Sequence, residues 1–402
     1  MADGGGLSAE QLAASAGVDA DAIERYTRAG VLEPTGGTYR ERDLARIRLA
    51  RSCEAGGIPM DGIAKAIEAG QLSFGFLDLP QYGWAPLSAR TYEEVATELG
   101  LTVEFVARIH EALGLERPDG GDRIREDDHE LLRALALAAA ATGGADDSVV
   151  RIARVYGESL RRLAEAEKSW YRERIEIPFL RSGMTRVQML HAASEFGATY
   201  MDVMDRALLH MYHRQQEHAW LDNLVQDIEE TLEEMDLYER LARPPAMCFL
   251  DLAGYTRLTE EHGDAAAADL AGELARMVQG TSQAHGGRPV KWLGDGVMFH
   301  FRDPKGAVLS ALEMVERTPE AGLPPAHVGV AAGPVVEQDG DYYGRTVNLA
   351  ARISSRAAPS EVLVSAAVVE GTNADGLRFE GAGVAELKGF ATAVELYRAE
   401  RT

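Results

Sequence analysis

Two aspartates and a block of polar side chains that follows them are where this 402-residue chain could do chemistry. Asp251 ends the apolar run AMCFLDLAG, and Asp295 sits in the Gly-Asp-Gly turn of RPVKWLGDGVMFHF. Carboxylates at such turns can converge while the backbone amides of Leu252 to Tyr255 face an anion. Gly254, Tyr255 and Thr256 are the substrate-binding candidates of that loop. A pair of carboxylates that shares a hard cation with substrate phosphates is how Mg²⁺ is usually held. A single Asp at a strand end is more often a turn or capping residue, so the pair needs company. Lys291, Asp341, Asn348 and Arg352 supply it, the last two lying four apart in TVNLAAR and so on one helix face. Surface capping and salt bridging explain any one of these residues but not the set.

The elements that must carry them follow from the pattern of the last third of the chain. AMCFLDLAG reads as a strand, about 257 to 284 as a helix, and RPVKWLGDGVMFHF as two strands around their turn. A helix over Lys305 to Arg317, the strand AHVGVAAGPVV, the helix TVNLAARISSR, the strand EVLVS and a terminal set of strands complete an α/β or α+β sheet with helices packed on one face.

Upstream the pattern is helical. Residues 8–72 read as short helices broken by glycine turns, and Gly70 to Pro86 as a turn-rich linker. An internal repeat at an offset of 83 pairs Ala13 with Ala96, Gly17 with Gly100, Ile23 with Val106 and Arg25 with Arg108, which reads as a duplicated helix-turn-helix unit. From 146 to 243 the pattern is long and amphipathic. One charged helix is expected to end near Pro178 and a longer one to run to Ala242, with Leu221, Leu224, Ile228, Leu232 and Met235 at 3/4 spacing. Such a stripe seeks a partner helix, in the same chain or in a second copy. Arg243-Pro244-Pro245 should stop it.

Composition sets the outer limits. With 41 Lys and Arg against 64 Asp and Glu, the formal charge is −23, and hydrophobic residues make up 46%. That is globular composition, not collagen, low-complexity disorder or a membrane protein. No secretory leader is evident, and Ala134 to Ala141 is too short to span a bilayer, so a cytoplasmic protein is expected. Cys53 and Cys248 are the only cysteines, which suits a reducing compartment and excludes a cysteine-based zinc site.

Two resemblances refine these readings. Over about 60 residues the first helical unit resembles the MerR-type winged helix-turn-helix, through Ala13, Ile23 to Tyr26, Gly30, Leu32, Tyr39-Arg40, Asp43, Gly57-Ile58 and Ile63. In that family the second helix enters the DNA major groove. Residues 1–72 hold eight basic and eleven acidic side chains, however, and phosphate contacts supply most DNA affinity, so contacts with protein are favoured over DNA. Region 246–398 resembles the class III nucleotide cyclase catalytic domain, through FLDLAGYT, VKWLGDGVMFHF, GDYYGRTVNLAARI and PSEVLVS.

The cyclase resemblance implies a ferredoxin-like βαββαβ core working as a homodimer on ATP. Asp251 and Asp295 of one subunit would bind two Mg²⁺ or Mn²⁺ ions. Lys291 and Asp341 of the other would read adenine, while its Asn348 and Arg352 would place the ribose and stabilise the transferring phosphoryl group. Lys388 in ELKGF stands where the family often has a lysine for the terminal phosphates. The order of modules looks like bacterial adenylate cyclases regulated by pH, some also by lipids, and His191, His210, His213 and His218 fall in the connecting region. The expected organisation is a MerR-like module over 1–75, a second module over 86–145, a helical regulatory region over 146–243 and the cyclase domain over 244–402, thus an all-α regulatory half with tandem winged-helix-like modules before an α+β catalytic domain. The rival reading is a DNA-binding regulator with a nucleotide-sensing domain, which need not keep the metal pair and the Asn/Arg pair intact.

Overall fold

The computed structural model describes residues 6–78, 85–143, 147–237, 244–255, 260, 264–372 and 376–402. The chain divides into two compact units, Met1–Gln226 and Asp227–Thr402.

The first unit begins with α1 (Ala9–Ala16), α2 (Ala20–Arg28), α3 (Asp43–Ala55) and α4 (Met60–Glu68). After a short 3₁₀ turn come β1 (Leu87–Thr91), α5 (Tyr92–Glu98), α6 (Val103–Leu113), β2 (Arg123–Arg125) and α7 (Asp128–Ala141). The repeat is written in the helix starts. Ser8 with Gln11 forms a capping box at α1, and Thr91 with Glu94 forms the same box 83 residues later at α5. Asp19 caps α2, and Thr102, again 83 on, caps α6. Leu12, Ile23 and Tyr26 in the first copy and Val95, Val106 and Ile109 in the second are the matching buried side chains. Each buried aliphatic or aromatic side chain contributes about 1.5–3 kcal/mol of transfer free energy. The Leu7–Tyr39 bridge of the first copy becomes the paired strands β1 and β2 in the second, so the half is helical apart from these wings.

Three long-helix expectations need correction or confirmation. Helix α8 (Asp147–Tyr171) passes through a wide π-type turn over Arg172–Glu176 into α9 (Ile177–Arg181), so the helical run contains Pro178 and ends three residues after it, near the expected place. The wider turn moves the carbonyl that a proline ring would otherwise strike, and the missing N–H costs little at the start of the next segment. Helix α10 (Arg186–Glu234) ends eight residues before Ala242, where Asp236 takes a positive φ of 55°. Arg243 lies outside the described residues. Leu221, Leu224, Ile228 and Met235 are exposed, so the stripe has no cover within the described chain.

The second unit carries β3 (Ala246–Leu252), α11 (Asp264–Ala284), β4 (Gly287–Leu293), β5 (Gly296–Phe301), α12 (Pro304–Glu320) and β6 (Ala326–Ala332). Then follow β7 (Val336–Gln338), β8 (Asp341–Tyr343), α13 (Arg345–Ser354), β9 (Val362–Ser365), α14 (Ala366–Gly371), β10 (Leu377–Ala385) and β11 (Val394–Arg401). The sheet order is β10-β11-β9-β6-β3-β5-β4, with β3 antiparallel to both β5 and β6. Its β6-β3-β5-β4 part is the ferredoxin-like βαββαβ arrangement, extended by three strands.

Helices cover both faces of this sheet, not one. Strand alternation sends Cys248, Leu250, Val297, Phe299, Val328 and Val330 into the core beneath α11 and α12. The intervening Met247, Phe249, Met298 and Ala331 meet Ala350 and Ile353 of α13 on the opposite face. The close approach of α13 requires a glycine: a Cβ on Gly329 would lie 2.0 Å from the Ser354 nitrogen. Among the described residues no helix is long and apolar enough to cross a membrane, and both cysteines are free thiols, Cys248 fully buried.

Candidate active site

Asp251 is the last α13-facing residue of β3 before the strand ends. It pairs in register with Gly296 on β5, which places it beside Asp295 in the β4–β5 turn. Gly294, with φ 75°, makes that turn possible, and Gly296 leaves room for the carboxylate, since a Cβ there would stand 3.1 Å from Asp251 Oδ1. Partial burial raises the Asp295 carboxyl above the usual range, and the nearby Asp251 charge raises it further. Two hard oxygen donors that repel each other at a half-buried turn are chemically suited to a divalent cation. Among the described residues no third His, Cys, Asp or Glu joins them as a ligand cluster.

A residue that the sequence reading passed over sits against this pair. His327 faces Asp251 across the β3–β6 register, with Nε2 3.4 Å from Asp251 Oδ2 and Nδ1 2.9 Å from the Ser354 carbonyl oxygen. Contact with Asp251 is the main cause that raises the imidazole pKa, against burial, which lowers it. The ring thus ties Asp251 to the end of α13. Its signal was alternation: in AHVGVAA the histidine falls on the same face as Gly329 and Ala331.

Lys291 on β4 and Asp341 on β8 also come together. Lys291 Nζ donates to Asp341 Oδ2 at 2.8 Å, and the other oxygen, Oδ1, accepts from the Tyr342 amide at 2.9 Å. Asn348 and Arg352 do not join either group. Thr346, Ala350 and Ile353 turn inward from α13, which leaves these two exposed on the outer side. Their side chains have no hydrogen-bond or ion-pair partner among the described residues.

The loop after β3 departs from expectation. The Ala253 amide donates to the Pro325 carbonyl at 2.9 Å and so is not available to an anion. Gly254 takes a φ of 78°, and Tyr255 packs partly against the core. Thr256 lies outside the described residues, and Lys388 is exposed in the turn between β10 and β11.

One titration can be stated with its sign. The His300 ring on β5 stacks on Tyr342 at 4.4 Å, and burial, helped by the Arg288 charge, pushes its pKa down to about 4. The unfolded imidazole titrates near 6.5, so between the two values the unfolded chain binds more protons. Stability from this group is complete above about pH 6.5 and is lost as the pH falls through 4, a loss of about 2 kcal/mol after allowance for the ring's partial exposure. His300→Phe should flatten the fall in urea midpoint between about pH 7 and 4.5; a parental slope in the variant would contradict this.

Residues 238–400 match the adenylate and guanylate cyclase catalytic domain, residues 46–219 the adenylate cyclase regulatory domain, and residues 7–70 the MerR HTH family regulatory protein. An adenylate cyclase of Streptomyces coelicolor is 31% identical over 69% of this chain and 70% of its own. A pH-sensitive adenylate cyclase of Mycobacterium tuberculosis is 29% identical over 77% of each chain. The solved adenylyl cyclase CyaB from P. aeruginosa is 22% identical, over 40% of this chain and 95% of that one, at a TM-score of 0.36. With the catalytic and regulatory matches on one polypeptide and a relative of this similarity along most of its length, the chain belongs to the class III adenylate cyclases.

Proposed function

We propose that cyclic AMP is made at sites shared by two copies of this chain. The observation that carries the reading is the division of the polar set: Asp251 and Asp295 converge, while Asn348 and Arg352 point outward from α13 without a partner among the described residues. A second copy in antiparallel arrangement would bring its Asn348, Arg352, Lys291 and Asp341 to the first copy's carboxylates. The exposed Trp292, Leu293 and Tyr343 and the bare stripe of α10 favour such self-association.

In this arrangement the ribose 3′-oxygen of ATP forms a bond to the α-phosphorus as the bond to the bridging oxygen breaks. The hydroxyl proton passes to solvent, and pyrophosphate leaves with the electron pair. Asp251 and Asp295 are the residues that would hold Mg²⁺ or Mn²⁺, which when bound lowers the pKa of the hydroxyl and neutralises the polyphosphate. Asn348 orients the ribose. Arg352 meets the charge that grows on the phosphoryl oxygens, a contribution of about 3 kcal/mol for a group so placed. Asp341 accepts from the exocyclic amine of adenine and Lys291 donates to a ring nitrogen; guanine offers a carbonyl to the same carboxylate and is disfavoured.

The N-terminal half is assigned the control of this site, with protons as the signal. The mycobacterial relative is named for pH sensitivity, and His191, His210, His213 and His218 are all exposed on α10. Incubation of the full chain with MnATP from about pH 5 to 8 tests both statements. Cyclic AMP and pyrophosphate should appear in equal amounts and with a pH-dependent rate. Absence of product would overturn the reaction, and a flat profile would remove protons as the signal.

A further inference from the structure

The β7–β8 hairpin that bears Asp341 has three residues in each strand, joined by Asp339 and Gly340, both at positive φ. That turn sets the register, Gln338 opposite Asp341 and Glu337 opposite Tyr342. A two-stranded hairpin so short does not hold its shape alone. Something must fix it to the sheet.

The fixture is built on β4. Side chains three apart on a regular strand point to opposite faces, yet Arg288 and Lys291 both reach β8. A register shift between Pro289 and Lys291 accounts for this, because it pairs Arg288 with His300 and Lys291 with Met298, two β5 residues on one face. Arg288 Nη2 donates to the Tyr342 hydroxyl at 2.8 Å and to Glu337 Oε1 at 3.1 Å, and the Tyr342 hydroxyl donates to Glu337 Oε2 at 2.9 Å. The Tyr342 ring, itself only 5% exposed, lies flat on His300 with an interplanar angle of 3°. The Arg288 and Glu337 side chains are each more than half exposed, so their ion pair alone would hold little. The buried phenol that accepts from one and donates to the other is what locks them.

We infer that Tyr342, held by Arg288, Glu337 and the His300 ring, is a positioning residue for base selection: it sets where Asp341 meets Lys291 and so how strongly ATP is preferred over GTP. The inference rests on the assignment of Lys291 and Asp341 as adenine readers, and goes beyond it by naming what aims them.

The test uses the full chain and measures kcat and KM for ATP and GTP with Mn²⁺. Tyr342→Phe keeps the ring on His300 and leaves Arg288 paired with Glu337, but removes the hydroxyl. KM for ATP should rise about fivefold with kcat within about twofold, and the ATP preference should fall about tenfold. Arg288→Met should move the preference the same way. Arg317→Met, which cuts the bond to Thr281 between α11 and α12 and the bond to Glu313 within α12, serves as the structural control and should leave the preference unchanged. In an Asp341→Ala background, Tyr342→Phe should add no further loss, because its effect passes through Asp341. If Tyr342→Phe keeps the parental preference while Asp341→Ala abolishes it, the positioning role is wrong and the adenine reading stands. If Asp341→Ala also keeps the preference, the adenine reading fails and takes this inference with it.

Discussion

Arg352→Ala should lower kcat by two to three orders of magnitude, on the order of 3–4 kcal/mol, with KM for ATP changed by less than about threefold. The asymmetry follows from the proposed role. A guanidinium that meets charge present only in the transition state contributes to the rate and not to ground-state binding. Its surroundings make the experiment clean: Arg352 is exposed, lies on the outer side of α13, and has no hydrogen-bond or ion-pair partner among the described residues. Alanine is the strongest helix former, so α13 should be kept. Thermal melting should therefore match the parent. Arg352→Lys retains a charge but not the planar fork, and should recover only part of the rate. A kcat within threefold of the parent in the alanine variant would falsify the role.

The chemistry was legible where it depends on local spacing. Asp251 and Asp295 declare themselves because each closes an apolar run at a glycine turn, and Asn348 and Arg352 because a four-residue interval fixes a shared helix face. What escaped depends on tertiary placement. The inward residues Thr346, Ala350 and Ile353 show that α13 is amphipathic, but not which side of the sheet it takes. The bare Gly329 in β6 decides that, and only the packed structure shows what fills the space. His327 reads as one polar residue in a strand until register sets it opposite Asp251. Arg288 and Lys291 appear to face apart until the shift after Pro289 turns them together. The β7–β8 hairpin has a local signal, Asp339-Gly340 between short strands, but nothing local says what holds it to the sheet. Pro178 marked the end of the charged helical run to within three residues, because the π-type turn before it absorbs the clash and carries the helix on only to Arg181.

The second large effect concerns assembly. Asp251→Asn keeps the size of the side chain and its contact with His327, but removes one of the two charges a divalent cation needs, and should cost about three orders of magnitude in kcat. Each inactive chain still holds what the other lacks. In a twofold-symmetric pair each site takes Asp251 from one copy and Arg352 from the other. A mixed pair of Asp251→Asn and Arg352→Ala chains therefore contains one site with both defects and one with neither. Two affinity tags would isolate that mixed pair from the two parental pairs, and it should turn over ATP at about half the rate of the unmodified pair, while neither variant alone exceeds a few per cent. The recovered activity should also keep the parental KM, since the surviving site is intact. If mixed pairs form and melt like the parent yet stay inactive, the carboxylates and the Asn348/Arg352 face do not meet across two copies, and the site must be assembled within one chain.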